Sequence, residues 1–197
     1  MSDVLLSVRP QWCEKIASGE KTIEVRKSAP NEVPFKAYIY CTSQKFDGEI
    51  LLTADKKVER RYRHCRDNGD IPLAGKVIGE FVCDKFYLIK NRGSRFSVAD
   101  EEQSVTNEIA RQSCLDYDDM RGYLGVGEKD GYGWHISDLK IYDKPRELGE
   151  FTKRCNCKGH CFMCEREIIK QDKSKQMCVC YEKVTRPPRS WMWVEEL

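Results

Sequence analysis

"GEKTIEVRK", residues 19–27, alternates apolar and polar side chains with period two and carries β-branched residues at Thr22, Ile23 and Val25, the pattern of a β-strand. Side chains on a strand point alternately to its two faces. Ile23 and Val25 therefore share one face, and Thr22, Glu24 and Arg26 the other. Glu24 and Arg26 lie about 7 Å apart along the strand, from a rise of about 3.3 Å per residue. Lys21 follows the turn at Gly19 and can reach over the strand end towards Glu24. Two readings follow. One is an exposed strand with a weak surface ion pair. The other is a strand whose polar face lines a cleft, with Arg26 for bidentate contact, Lys21 as a point charge and Glu24 as acceptor.

Outward from this strand the chain reads as further short elements. "VLLSV" (4–8) is a short apolar run, expected to be a buried strand. Pro10 suits the first turn of a helix, on which Trp12, Cys13, Ile16 and Ala17 recur at helical spacing before Gly19 closes it. Ile23 and Val25 are expected to pack against that helix. "KAYIYCTS" (36–43) and "KVIGEFVCDKFYLI" (76–89) read as two strands, the second bent or bulged near Gly79. Residues 44–74 read as a polar excursion. Residues 104–124 read as helical, with a break near Ser113. "GEKDGYG" reads as a turn, "WHISDLKIYD" (134–143) as a strand, and "RPPRSWMWVEEL" as a final strand delimited by prolines. Five or six short strands with few helices and no βαβ alternation predict an α+β, mainly β fold: a small closed or partly open β-barrel with flanking helices. At 197 residues the chain is expected to form a single domain.

With 34 basic against 32 acidic residues, the chain is no general polyanion binder, so any nucleic-acid surface must be local. One local run stands out. "KKVERRYRHCR" (56–66) sets six Lys and Arg residues against Glu59 alone, with Tyr62 and His64 interleaved. It reads either as a solvated face or as a phosphate-tracking patch with Tyr62 available for stacking. The start of the chain lacks the features of a secretory signal, and no stretch approaches the roughly 18 apolar residues of a membrane span. The expectation is a cytoplasmic protein.

Of 11 cysteines, Cys13, Cys41, Cys65, Cys83 and Cys114 are scattered and read as free thiols. Cys155, Cys157, Cys161, Cys164, Cys178 and Cys180 crowd into one segment with His160. In a reducing compartment such crowding favours metal over disulfides. Cys161 and Cys164 form a C-x-x-C knuckle, and Cys157 and Cys178 can complete a closed tetrahedral structural zinc site. Cys155 and Cys180 can substitute for either. A disulfide-stapled loop or a thiol redox switch are the other readings. Residues 151–186 are thus expected to be a metal-folded insertion before the last strand.

The spacing Gly19-x-Lys21-x-x-Glu24-x-Arg26 resembles the G-x-K-x-x-E-x-R pattern of the ASCH domain, a PUA-like β-barrel family. "LLSVRPQWCEKIASGEKTIEVRKS" is similar to that family's opening strand, helix and signature strand. "GKVIGEFVCDKF", "YGWHISDLKIYDKPREL" and "RPPRSWMWVEEL" resemble later strands of its shorter, often phage-borne members. The resemblance implies RNA or modified-nucleoside binding in a cleft beside the signature strand. Lys21, Glu24 and Arg26 would be pocket residues there, with Arg9 and His135 as further lining.

Some members of that family are amidohydrolases of acetylated cytidine that use a lysine, a threonine nucleophile and a downstream acid. Here Lys21 matches the lysine, Glu24 stands in the threonine's place, and "RQSCLDYDD" offers no match for the acid. A carboxylate does not replace an activated alcohol. The first expectation is therefore an RNA- or nucleotide-binding module with a structural zinc. A nucleoside amidohydrolase or ribonuclease-like hydrolase with Glu24 as general base is the alternative. A protein-interaction adaptor, contacting its partner through the cysteine segment, is the third.

Overall fold

Val4, Leu5, Leu6 and Val8 are all buried, so the first strand lies inside the protein with both faces covered, as its unbroken apolar run requires. The computed structural model describes residues 3–43, 48–62, 65–92, 95–99, 101–125, 129–154 and 181–196. In chain order these form β1 (Asp3–Val8), α1 (Pro10–Ala17), β2 (Ile23–Arg26), β3 (Phe35–Cys41), β4 (Glu49–Leu52) and β5 (Val58–Arg61). Next come β6 (Ile71–Pro72), β7 (Val77–Cys83), β8 (Phe86–Asn91), β9 (Phe96–Val98), α2 (Gln103–Ser113) and α3 (Tyr117–Leu124). The chain continues through β10 (Gly131–His135), β11 (Ser137–Arg146), β12 (Phe151–Arg154), β13 (Tyr181–Lys183) and β14 (Trp191–Glu196).

Among the described residues the strands make three sheets, ordered β11-β7-β3-β1-β14-β12-β13, β2-β10-β8-β9 and β5-β4-β6. The fold is α+β and mainly β, as expected, but no closed barrel forms. Two corners join the larger sheets: Asp84–Lys85 between β7 and β8, and Ile136 between β10 and β11. Where β2 approaches β1 no backbone ladder closes the gap. Instead the Arg26 guanidinium donates to the Ser7 carbonyl at 2.7 Å. Both edges of β1 are already taken, by β3 in parallel and β14 antiparallel.

Several expectations change for identifiable reasons. Residues 76–89 form two strands in different sheets, because the chain turns at exposed Asp84 and Lys85, where the Lys85 carbonyl accepts from His135 N at 3.0 Å. The register shift facing Ile39 and Tyr40 does fall beside Gly79. Gly131 and Gly133 belong to β10 and not to a turn. A Cβ on Gly131 would stand 2.7 Å from Leu124 Cδ2, and one on Gly133 would stand 3.1 Å from Ile23 Cγ2. These glycines serve close packing. The 44–74 excursion holds the three-stranded sheet, with Ile50, Leu51 and Leu52 buried. The number of strands is correspondingly larger than five or six.

The helical region breaks as its sequence predicts. α2 ends at Ser113, Cys114 takes φ 53°, and the Asp116 side chain caps α3 by accepting from Asp119 N. Gly19, at φ 76°, follows α1 in the left-handed region that glycine tolerates. β12 and β13 pair antiparallel, with Arg154 opposite Tyr181. The cysteine segment therefore leaves and re-enters the fold at adjacent positions of one ladder. Cys155, Cys157, His160, Cys161, Cys164, Cys178 and Cys180 lie outside the described residues. Among the described residues no helix is long and apolar enough to cross a membrane.

β7 and β11 approach closely at Gly79, where an added Cβ would press on the Lys140 carbonyl and stand 3.1 Å from Ile141 Cα. Gly79→Ala is expected to destabilise the fold by about 1–3 kcal/mol through overpacking, read as a shift in the urea midpoint. An unchanged midpoint would show that β7 and β11 are not held this closely.

Candidate functional site

Period two placed Glu24 and Arg26 on one face of β2 and left open whether that face meets water. The structure buries both faces. Lys21, Glu24 and Arg26 are 2%, 5% and 6% exposed. Ile23 packs with Val98 and Ile109, and Val25 with Ile89, Phe96, Met120 and Leu124. The apolar face thus meets α2 and α3, not α1. It is the polar face that turns towards α1, where the Lys21 ammonium lies 5.2 Å from the centre of the Trp12 ring. The expected packing is reversed because α1 commits Cys13 and Ile16 to the main core.

Backbone bonds fix the strand's entry. Lys21 N donates to Lys15 O at 2.9 Å, and Thr22 N to Gln112 O at 3.0 Å. The three charged side chains then interlock. Glu24 Oε1 lies 2.7 Å from an Arg26 terminal nitrogen, and Glu24 Oε2 lies 3.4 Å from Lys21 Nζ. Lys21 Nζ also donates to the Ser113 carbonyl at the end of α2. Burial pulls the Lys21 pKa below that of a free lysine, with the Glu24 carboxylate opposing the shift. The Arg26 Nε is buried without a hydrogen-bond partner.

These residues form part of the wall of a cavity of about 730 Å³. Arg9 lines it, as do Trp12, Thr42, Tyr123 and Arg189. Lys27, at the end of β2, also lines it, with its ammonium 5.5 Å from the Tyr123 ring centre. Four of the five expected site residues, Arg9, Lys21, Glu24 and Arg26, therefore share one cavity. His135 does not join them. Its Nδ1 lies 2.6 Å from Asp84 Oδ1 at the corner between the two larger sheets.

Sequence reasoning missed Arg189, Tyr123, Thr42 and the acidic pair Asp118 and Asp119, which also line the cavity. "RPPR" did flag residues 186–189 as punctuation. What carries Arg189 to the site is long-range pairing: Ser7 N donates to Ser190 O at 2.9 Å, and Ser7 Oγ to Pro188 O at 2.7 Å.

The basic run contributes elsewhere. Lys56 pairs with Asp143 at 2.8 Å, Arg66 with Glu49 at 2.7 Å, and Arg61 with Glu59, Asp67 and Asp70. Much of its charge thus pins the three-stranded sheet. Arg63 and His64 lie outside the described residues.

By sequence, no family model and no curated protein matches the chain. By structure, matches emerge over nearly its whole length. The crystal structure of ASCH from Zymomonas mobilis aligns with a TM-score of 0.52 over 98% of this chain and 87% of that one, at 16% identity. A crystal structure of a variant of the same Zymomonas mobilis protein aligns with a TM-score of 0.51 over 99% and 91%, at 15% identity. The arrangement is that of a mainly β α+β domain with its cavity beside a short charged strand. More narrowly, the chain has an ASCH-like fold.

Removing the central carboxylate would leave two buried cations without their counter-charge. Glu24→Ala is therefore expected to cost about 3–5 kcal/mol, measured by chemical denaturation. A loss within the 0–1 kcal/mol of an exposed pair would contradict a buried network.

Proposed function

We propose that the protein is an RNA- or nucleotide-binding module that takes a nucleotide into the cavity walled by Lys21, Glu24 and Arg26. The observation that carries this reading is the pairing of a buried ion cluster with exposed guanidiniums on the same cavity. Arg9 and Arg189 line it and make no ion pair among the described residues. An arginine left unpaired there is free to meet a phosphate, for which its planar fork is suited. Trp12 and Tyr123 supply aromatic surface for a base. A volume of about 730 Å³ lies within the range of small-molecule sites. The ASCH-like fold supports the reading at the level of architecture.

The state of Glu24 favours binding over hydrolysis. Both of its oxygens face cations, Arg26 on one side and Lys21 on the other. With both oxygens taken up by cations, the carboxylate is engaged as a structural acceptor and has no oxygen turned to a substrate proton.

We propose in addition that Cys157, Cys161, Cys164 and Cys178 hold one structural zinc, on the strength of their spacing. The antiparallel pairing of β12 and β13 around the segment suits a closed loop.

RNA and nucleotide binding should weaken steeply as salt rises. Arg9→Ala combined with Arg189→Ala, both at exposed positions, should lower affinity by about tenfold or more, read by calorimetry. Binding unchanged in that variant would defeat the cavity reading. Turnover of an acetylated nucleoside or of RNA, lost in Glu24→Gln, would establish the hydrolase instead. Metal analysis of the purified chain should return about one zinc per molecule, and a metal-free protein with paired cysteines would refute the zinc site.

A further inference from the structure

The cavity is electrically polarised. On one side stand Arg9, at the junction of β1 and α1, and Arg189, in the segment leading to β14. The antiparallel pairing of β1 with β14 runs from Asp3 opposite Val194 to Leu6 opposite Trp191, and the Ser7–Ser190 backbone bond carries it one step further. That register sets Arg189 against the end of β1, where Arg9 begins. On the other side α3 contributes Asp118, Asp119, Gly122 and Tyr123. Met120 and Leu124 anchor this helix against Val25, and its exposed acids are in ion pairs with none of the described residues. Lys27 is the cation on that side, with its ammonium over the Tyr123 ring. A Cβ added at Gly122 would touch nothing, so the wall is open there.

Two polar atoms beside the cavity are left unsatisfied by the packing around it. Arg26, 6% exposed, has a buried Nε without a hydrogen bond, and the Thr42 Oγ1 is likewise buried and unpartnered. Both residues line the cavity. Orphaned polar atoms of this kind are rare in folded proteins, and these two mark imperfect packing behind the cavity wall.

We propose that the cavity takes a ribonucleoside 5′-phosphate with a free 2′,3′-diol, its phosphate at Arg9 and Arg189 and its diol at Asp118 and Asp119. The assignment rests on the nucleotide-binding reading above and adds the ligand's class and direction. Two guanidiniums match a phosphate. Two carboxylates match a vicinal diol, which offers two O–H donors and no negative charge, and an acid on the ribose hydroxyl is a general way to select a ribose. The same acids repel a second phosphate, so the strand cannot continue across α3. A free diol exists on two sources: a 5′-mononucleotide and the 3′ end of an RNA strand. The interior of a strand has none.

The test is calorimetry on the full chain with the four ribonucleoside 5′-monophosphates, their 2′-deoxy counterparts, the parent nucleosides, and a short RNA ending in a 3′-hydroxyl or a 3′-phosphate. Ribonucleotides should bind about tenfold or more tightly than deoxyribonucleotides. The Asp118→Ala, Asp119→Ala double variant should bring that ratio towards one. Arg9→Ala with Arg189→Ala should reduce the advantage of the monophosphate over its nucleoside. Equal binding of ribo- and deoxyribonucleotides, or an unchanged ratio in the aspartate variant, overturns the diol assignment while leaving nucleotide binding standing. Binding of no nucleotide, nucleoside or RNA defeats the nucleotide reading itself. Preference for the 3′-hydroxyl RNA over its 3′-phosphorylated form assigns the strand end, and binding of the mononucleotide alone assigns the free nucleotide. RNA that binds regardless of its 3′ end, with no mononucleotide binding, overturns the proposal.

Discussion

The ion cluster of Lys21, Glu24 and Arg26 is the interaction on which the rest of the site depends. Each member ties a different part of the chain together. Arg26 reaches the Ser7 carbonyl in β1, Lys21 reaches the Ser113 carbonyl at the end of α2, and Glu24 holds the two cations in place. Taking three charges out of water costs several kcal/mol per ion, which their mutual attraction, those carbonyls and the Trp12 ring beneath Lys21 offset. β2 is only four residues long and, among the described residues, pairs with β10 alone. Its position between two sheets is therefore set by side-chain electrostatics as much as by a backbone ladder.

This arrangement also explains why, of the closed or partly open barrel expected, the closed form is not found. A closed barrel would need β2 to hydrogen-bond to a strand of the seven-stranded sheet. β1, the nearest, already has neighbours on both edges. The charged face of β2 takes the place of that ladder, and the space it props open is the cavity. The walls then come from separate parts of the sequence: the end of β1 with residues 187–189 on one side, and α3 on the other. Because the first group is cationic and the second acidic, the cavity acquires a direction that no single element possesses.

How much of this the sequence shows varies from residue to residue. The burial of β1, the helix starting at Pro10, the left-handed turn at Gly19 and the break at Ser113 all follow from patterns within a few residues. Asp84–Lys85 was hidden because a corner between sheets leaves apolar content unchanged on either side. Gly131 and Gly133 were misread because a glycine that makes room for Leu124 or Ile23 looks the same, in sequence, as one that permits a turn. His135 was placed on the cleft by resemblance, whereas its strand carries it to Asp84.

By itself the sequence determined that residues 23–26 are a strand, that Lys21, Glu24 and Arg26 can meet on one side of it, and that Arg9 follows a buried strand. Those are local facts, governed by the period of a β-strand and the reach of a lysine. Only the tertiary structure decided that the polar face is buried, that it looks at Trp12, and that Arg189, Asp118 and Asp119 share its cavity. The physical reason is separation along the chain. Lys21 is satisfied by a carbonyl at Ser113, Arg26 by one at Ser7, and Arg189 is brought in by a ladder joining the two ends of the described chain. Backbone carbonyls are present at every residue and leave no mark in the sequence, so packing alone chooses which of them meet a buried charge.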